Sequence, residues 1–219
     1  MKKFYIKKNY WDLYYKDIKK IFNKPKPSSF AIFINKKYLD KSINLLELGC
    51  GNARDTFFFH DKVNNVIALD SSKEAIKKNK EISRVNKLKI KFLNMNFEKI
   101  NYNQLKKINF VYLRFFLHTI TLKQEKKLIM VFKKILKKNI NTLFALEFRT
   151  TRDKLMRIGK KISKYERLTN HYRRFINVSQ FMNKLKKKKL KVIYFKQGIN
   201  FSKTKLENPH LCRLVLKNV

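Results

Sequence analysis

The stretch Leu45-Leu-Glu47-Leu-Gly49-Cys-Gly51-Asn-Ala-Arg54-Asp55 constrains this chain more than any other. A short apolar run ends in an acid, two glycines follow, and a helical pattern begins directly after them. Glycine reaches positive φ without strain and carries no Cβ, so the pair lets the backbone turn sharply and approach a ligand closely. Nineteen residues beyond Gly51, the run Val66-Ile-Ala-Leu-Asp70 reads as a second strand with a carboxylate at its tip. Such an acid accepts hydrogen bonds from both hydroxyls of a ribose. Strand, glycine turn, helix and acid-tipped strand together predict an α/β fold with a ligand lying across the strand ends.

The rest of the chain keeps this rhythm. Apolar runs predict strands at 44–48, 65–69, 89–94, 109–114, 142–148, 191–197 and 211–217, with helices at 53–60, 73–85, 122–138 and 178–187. The third of these helices carries Leu122, Leu128, Ile129, Phe132, Ile135 and Leu136 at helical spacing. The last two strands are joined by a loop, 198–210, without helical pattern, which predicts an antiparallel pair at the sheet. The expectation is a Rossmann-like, seven-stranded, mostly parallel sheet with an antiparallel last strand and helices on both faces. Upstream, Trp11, Tyr14, Tyr15, Ile18 and Phe22 form a helical stripe within 9–22. Pro25-Lys-Pro27-Ser28-Ser29 interrupts it, and Phe30 to Tyr38 suits a second helix. The chain thus reads as a helical segment over 1–40 and an α/β domain over 41–219, one structural domain overall.

The ligand at the turn is not expected to be a dinucleotide. The third glycine of a dinucleotide fingerprint is replaced by Arg54, which blocks close helix contact with a pyrophosphate. Glu47 would repel a diphosphate and favours a cationic or amine-bearing ligand. S-adenosylmethionine (SAM) carries both a sulfonium and an α-amino group. With these residues the sequence resembles the class I SAM-dependent methyltransferases over almost its whole length. The resemblance implies SAM as cofactor, held by Glu47, Gly49, Cys50, Gly51, Arg54 and Asp55 of the first motif. It implies ribose binding by Asp70 and Ser71, and an adenine site at Met95, Asn96 and Phe97, with Asn96 standing where the family usually has an acid.

A narrower set of residues, Trp11-Asp-Leu-Tyr14-Tyr15, Pro27-Ser-Ser-Phe30-Ala31, Arg114-Phe-Phe-Leu-His118, Glu147-Phe-Arg149, His171-Tyr-Arg173-Arg174-Phe and Glu207-Asn-Pro-His-Leu-Cys-Arg213, is similar to tellurite-methyltransferase-like enzymes. These are encoded with bacterial surface-polysaccharide genes, including those for O-methyl phosphoramidate decoration of capsules. The chain departs from that subgroup at Asn208, where Asp is common, and at Ala53, where Gly is common. The same resemblance implies that the aromatic N-terminal segment covers the cofactor, with Tyr15 and Ser29 near its methionine end.

The acceptor should sit beyond the fourth strand, where Arg114 and His118 follow its end. A histidine titrating near neutral pH takes a proton from an attacking hydroxyl or amine, while Arg114 holds an anionic group; these two are the catalytic candidates, and Arg114 also borders the cofactor. The competing readings are a capping or core histidine and an arginine paired with an acid. Arg149, His171, Tyr172 and Arg173 are the further substrate-binding candidates, a cluster suited to a phosphate or carboxylate, unless 170–175 is a solvated basic helix start. Methyl transfer from a sulfonium requires chiefly alignment, and an already ionised acceptor needs no proton acceptor.

Composition adds the partners. A formal charge of +39 favours polyanions. The lysines, however, spread over every predicted solvated face, as AT-rich codon usage would place them. Nucleic-acid methylation is therefore the alternative to a small anionic acceptor. Against it, Leu113-Arg-Phe-Phe stands where an adenine methyltransferase holds Asp/Asn-Pro-Pro-Tyr/Phe, and no RNA-binding module is evident. Cys50 and Cys212 show no ligand or disulfide spacing, so neither a metal nor a disulfide framework is expected. No apolar run is long enough to span a membrane and no secretory signal is evident, which makes the cytoplasm the expected compartment.

Overall fold

The computed structural model describes residues 10–17, 26–101 and 107–219. The expected helix over 9–22 is present as α1, Tyr10–Asp17, while Asn9, Ile18 and Phe22 lie outside the described residues. Helix α2, Ser29–Tyr38, starts where Ser28 accepts the Ala31 N–H on its side chain. An oxygen at that position satisfies a donor that the first turn leaves without a helical partner.

Seven strands form one sheet: β1 (Asn44–Leu48), β2 (Asn65–Asp70), β3 (Ile90–Asn94), β4 (Phe110–Arg114), β5 (Leu143–Arg149), β9 (Leu190–Gly198) and β10 (Leu211–Asn218). Their order is β3-β2-β1-β4-β5-β10-β9. The first five run parallel, and β10 lies antiparallel between β5 and β9. This is the Rossmann-like sheet expected from the sequence, with strand ends within one residue of those read there.

Helices α3 (Arg54–Phe59), α4 (Lys73–Val85), α5 (Leu122–Leu136) and α6 (Val178–Lys187) cover the sheet on both faces. Leu46, Val111, Phe144 and Leu214 pack with α5 and α6 on one face. Leu45, Phe110 and Val215 pack with α2 and α3 on the other, and Ala68 with Ile76 of α4. Both faces are therefore apolar, as a mostly parallel sheet requires. Thr121 and Gln124 form a reciprocal capping box that starts α5.

The sequence reading missed one element. Between β5 and α6 the chain makes a small antiparallel sheet of β6 (Lys160–Ser163), β7 (Glu166–Leu168) and β8 (Tyr172–Arg174). The basic stretch 170–175 is accordingly a strand and not a helix start. Tyr172 and Arg174 are buried and Arg173 between them is less so, the alternation of a strand. Arg174 forms an ion pair with Glu125 of α5 at 2.8 Å and donates to the carbonyls of Ile120 and Leu117. The insertion is thus clamped to the loop that follows β4.

The sheet order reverses at β1 and β4, since β1 leads outward to β2 and β3 while β4 leads the other way to β5. The crevice that opens at such a reversal is where open α/β sheets bind ligands.

Candidate active site

At the end of β1 the amides of Gly49 and Cys50 both donate to the Leu69 carbonyl, at 2.8 and 3.0 Å, which binds the turn to β2. Gly49 and Gly51 have φ of +74° and +53°. A Cβ on Gly49 would collide with the Phe116 ring, and one on Gly51 with the Tyr15 hydroxyl. Ala53 also lies in the left-handed region, at φ +54°, where a glycine is unstrained.

Asp70 sits at the tip of β2, its two oxygens accepting the amides of Gly51 at 2.9 Å and Ser72 at 2.8 Å. Asn79 of α4 donates to the Gly51 carbonyl at 2.8 Å from a fully buried position. Ser72 caps α4 and donates its hydroxyl hydrogen to Asp12 of α1, which also accepts from the Glu74 amide. Lys78 donates to the Tyr15 carbonyl. By these contacts α1 is fastened beside the glycine turn.

The cleft in front of these groups has a volume of about 730 Å³, within the range of small-molecule and cofactor sites. Glu47, Gly49, Cys50, Gly51, Arg54, Asp55, Asp70, Ser71, Met95, Asn96 and Phe97 all border it, as does Tyr15 from α1. Ser29 does not: its hydroxyl donates to the Phe201 carbonyl and accepts from Arg213. The hydroxyl that reaches toward the turn is that of Ser28, which donates to Asp55 at 2.7 Å. The side-chain oxygen of Asn96 accepts the Glu98 amide and so caps the turn that follows β3.

Two acids in this end of the cleft have no ion pair among the described residues. Burial and the neighbouring Asp55 hold the Glu47 carboxyl well above the usual range, although Thr56 donates to it at 2.5 Å. Burial raises Asp70 as well, with Asp12 adding to the effect. Burial favours the protonated form of both acids, and a cationic ligand set against them would draw them back to carboxylates.

The other end of the cleft is basic. Arg114, His118, Arg149, His171, Tyr172 and Arg173 all border it, so every acceptor-side residue expected from the sequence is gathered there. Their bonding changes their roles. Arg114 donates to Glu147 at 2.9 Å and to Ser202 at 2.9 Å, with Asp55 at 4.0 Å. Glu147 also takes Arg213 at 2.6 Å. Arg114 therefore belongs to a buried ion network, the paired arginine that was its competing reading. Arg149 is likewise held, by Asp153 at 2.9 Å and by both oxygens of Glu207 at 2.6 and 2.7 Å.

His118 does not titrate near neutrality. Burial, then Arg149, Arg173, His171 and Arg114, depress it well below the ordinary value. Its Nδ1 accepts the Arg149 amide at 3.3 Å, so the ring hydrogen resides on Nε2 and that atom is a donor. This corrects the expectation of a proton-accepting His118. Tyr172, expected to bind substrate, commits its hydroxyl to Glu166 at 2.5 Å. Tyr10, Trp11 and Tyr14 join Tyr15 on the cleft wall, in the aromatic N-terminal segment expected to cover the cofactor. Sequence reasoning singles out only Tyr15 there, and it assigns no role to Glu207 on the same wall.

Comparisons with known proteins agree with this fold. A family model described as "Methyltransferase domain" matches residues 39–198. No curated protein matches the sequence. Among solved structures, a SAM-dependent methyltransferase from Clostridium acetobutylicum superposes with TM-score 0.66 at 16% identity, over 95% of this chain and 96% of that one. A SAM-dependent methyltransferase from Methanosarcina mazei gives 0.71 at 14% identity, over 85% and 97%. An rRNA methylase from Streptococcus thermophilus gives 0.56 at 13% identity, over 87% and 94%.

Proposed function

The chain belongs to the methyltransferase-domain family, and we propose that it transfers a methyl group from SAM to an oxygen or nitrogen of a small anionic acceptor. The observation that carries this reading is the polarity of one cleft. Unpaired acids Glu47 and Asp70 stand beside a glycine turn at one end, and a cluster of arginines and histidines stands at the other.

The acidic end fits SAM. Glu47 supplies the charge complement for a ligand with an ammonium and a sulfonium, and Asp70 retains lone pairs for ribose hydroxyls beyond its two amide bonds. Gly49 and Gly51 leave no room for a Cβ, Met95 and Phe97 offer apolar surface for a purine, and Tyr15 closes the turn from α1. Cys50, Arg54, Asp55, Ser71 and Asn96 complete this wall, and Arg114 of the basic end reaches Asp55 at 4.0 Å. SAM supplies an electrophilic methyl group. The chain's own residues align the acceptor and keep water out, which is the larger part of what such a transfer requires.

A sugar phosphate or phosphoramidate intermediate of surface-polysaccharide synthesis has the charge this basic end accepts, and the tellurite-methyltransferase-like residues favour that class. The second reading is RNA, favoured by the charge of +39 and by the fold shared with an rRNA methylase. Calorimetry with SAM and S-adenosylhomocysteine tests the cofactor. Binding in the micromolar range, lost in Asp70→Ala and Gly51→Val, is the expected result; no heat from folded protein would sink the reading. Methyl transfer to RNA, and to none of a panel of sugar phosphates and phosphoramidates, would establish the second.

A further inference from the structure

Arg173 differs from the other arginines of the acceptor end. Arg114, Arg149 and Arg174 each pair with a buried or half-buried carboxylate. Arg173 forms no ion pair among the described residues and donates instead to neutral oxygens, Thr169 Oγ1 and Asn170 Oδ1. It borders the cleft and is largely buried, so its charge has little water, and the acids within its reach, Glu207 and Asp153, are already bonded to Arg149. A desolvated guanidinium is a fork of donors matched to a carboxylate or phosphate.

Two neutral imidazoles stand with it. His118 presents Nε2–H to the cleft side of the ring, because its Nδ1 is taken by the Arg149 amide. His171 lies against the rings of Tyr10 and Trp11 at 4.7 and 5.0 Å, and its Nδ1 is buried without a hydrogen-bond partner among the described residues. Burial, Arg173 and Arg149 push His171 down to about 3.

Among the described residues the carboxylates at this end that could accept a proton are already occupied. Both Glu207 oxygens accept from Arg149, and Asp55 on the cofactor side accepts from Ser28 and Tyr112. Burial raises Tyr10, Tyr14 and Tyr15, so their phenols stay protonated. Burial and the neighbouring arginines make both histidines weak bases, and the lone pair of His118 Nδ1 is taken by the Arg149 amide.

Resting on the methyltransferase reading above, we propose that Arg173, His118 and His171 form an oxyanion subsite, and that the methyl group goes to an already ionised acceptor oxygen of a carboxylate or phosphate. The acceptor oxygen forms its bond to the methyl carbon as the carbon–sulfur bond breaks. The electron pair of that bond leaves on sulfur, the sulfonium becomes a neutral thioether, and the product is a methyl ester. No proton has to be removed, which matches a site built from donors.

The test uses inorganic phosphate and acetate as probes, by calorimetry on the full chain at fixed ionic strength. Phosphate should bind and lose at least tenfold in affinity in Arg173→Gln, whereas Arg157→Gln, an exposed arginine outside the cleft, should leave it unchanged. Tighter binding of phosphate than of acetate assigns a phosphate acceptor; the reverse order assigns a carboxylate. In the unaltered protein, nitrogen-15 NMR of the histidines should show His118 as the neutral Nε2–H form from pH 5 to 8, with its Nε2 signal moving when phosphate is added. Equal loss in both arginine variants, no phosphate binding, or a histidine of this pair titrating between pH 6 and 8 would overturn the proposal. SAM calorimetry on the same samples separates the two readings: SAM binding retained without phosphate binding defeats only the subsite.

Discussion

Tyr15 places its hydroxyl where a Cβ on Gly51 would have to go. Gly51→Ala therefore carries two costs, roughly 1–2 kcal/mol for a Cβ at positive φ and the displacement of Tyr15. Tyr15→Phe removes the blocking oxygen, so Gly51→Ala should cost less in that background, by at least about 0.5 kcal/mol. Urea denaturation of the four proteins checks this; strictly additive costs would show that Tyr15 does not rest on the turn.

Glu147 is 1% exposed and lies between Arg114 and Arg213. Glu147→Gln leaves the buried Arg213 without its counter-charge and Arg114 with only Asp55 at 4.0 Å, and a loss of about 3–5 kcal/mol in unfolding free energy is expected. A loss below about 1 kcal/mol would mean that the network is open to water.

The histidines set a pH dependence. His118 and His171 bind a proton less readily folded than unfolded. The unfolded chain then takes up more protons as pH falls through about 6.5, and stability drops from there down toward the folded value, about 3 for His171. The slope is at most about 1.4 kcal/mol per pH unit for each ring, and smaller for His171, which is partly open to solvent. Glu47 and Asp70 act in the opposite sense, since their folded values are raised. The clean measurement is the difference between the protein and His118→Asn at pH 7 and pH 5: the stability gap should narrow at the lower pH. A gap independent of pH would show that His118 ionises normally.

Asp12 joins α1 to the start of α4 through Ser72 and Glu74. Asp12→Ala should cost about 1 kcal/mol of that attachment, a factor of about five in the population of detached α1. Trp11, the sole tryptophan, borders the cleft. Stopped-flow tryptophan fluorescence should show SAM leaving about fivefold faster in the variant, and an unchanged release rate would mean that α1 does not retain the ligand.

The large sheet and its helices were legible because each is a long run with one period: apolar stretches for strands between covered faces, 3.6-residue spacing for α4, α5 and α6. The insertion at 160–174 was not. Its strands are three or four residues long, and β8 buries an arginine, so Tyr172-Arg-Arg174 looks like any basic surface segment until Glu125 is placed behind it. Site membership was legible as far as strand ends dictate it, hence Glu47, Gly51, Asp70 and His118 in one cleft. Roles were not, because they depend on partners distant in sequence: Arg114 on Glu147, Arg149 on Glu207, His118 on an amide of the neighbouring strand. Ser29 does not border the cleft for the same reason, its hydroxyl being taken by the Phe201 carbonyl and by Arg213.

The interior acids Asp55, Glu125, Glu147 and Asp153 all pair with arginine. With 15 acids against 54 lysines and arginines in the chain, this leaves the lysine shell with few counter-charges of its own. Apart from the cleft acids Glu47 and Asp70, which have no ion pair among the described residues, the fold is in effect a charge-paired interior wrapped in a polycation. The mobile anions gathered around that shell become part of what keeps it compact. Dilution of salt should loosen such a molecule from the outside in, while the paired interior stays closed.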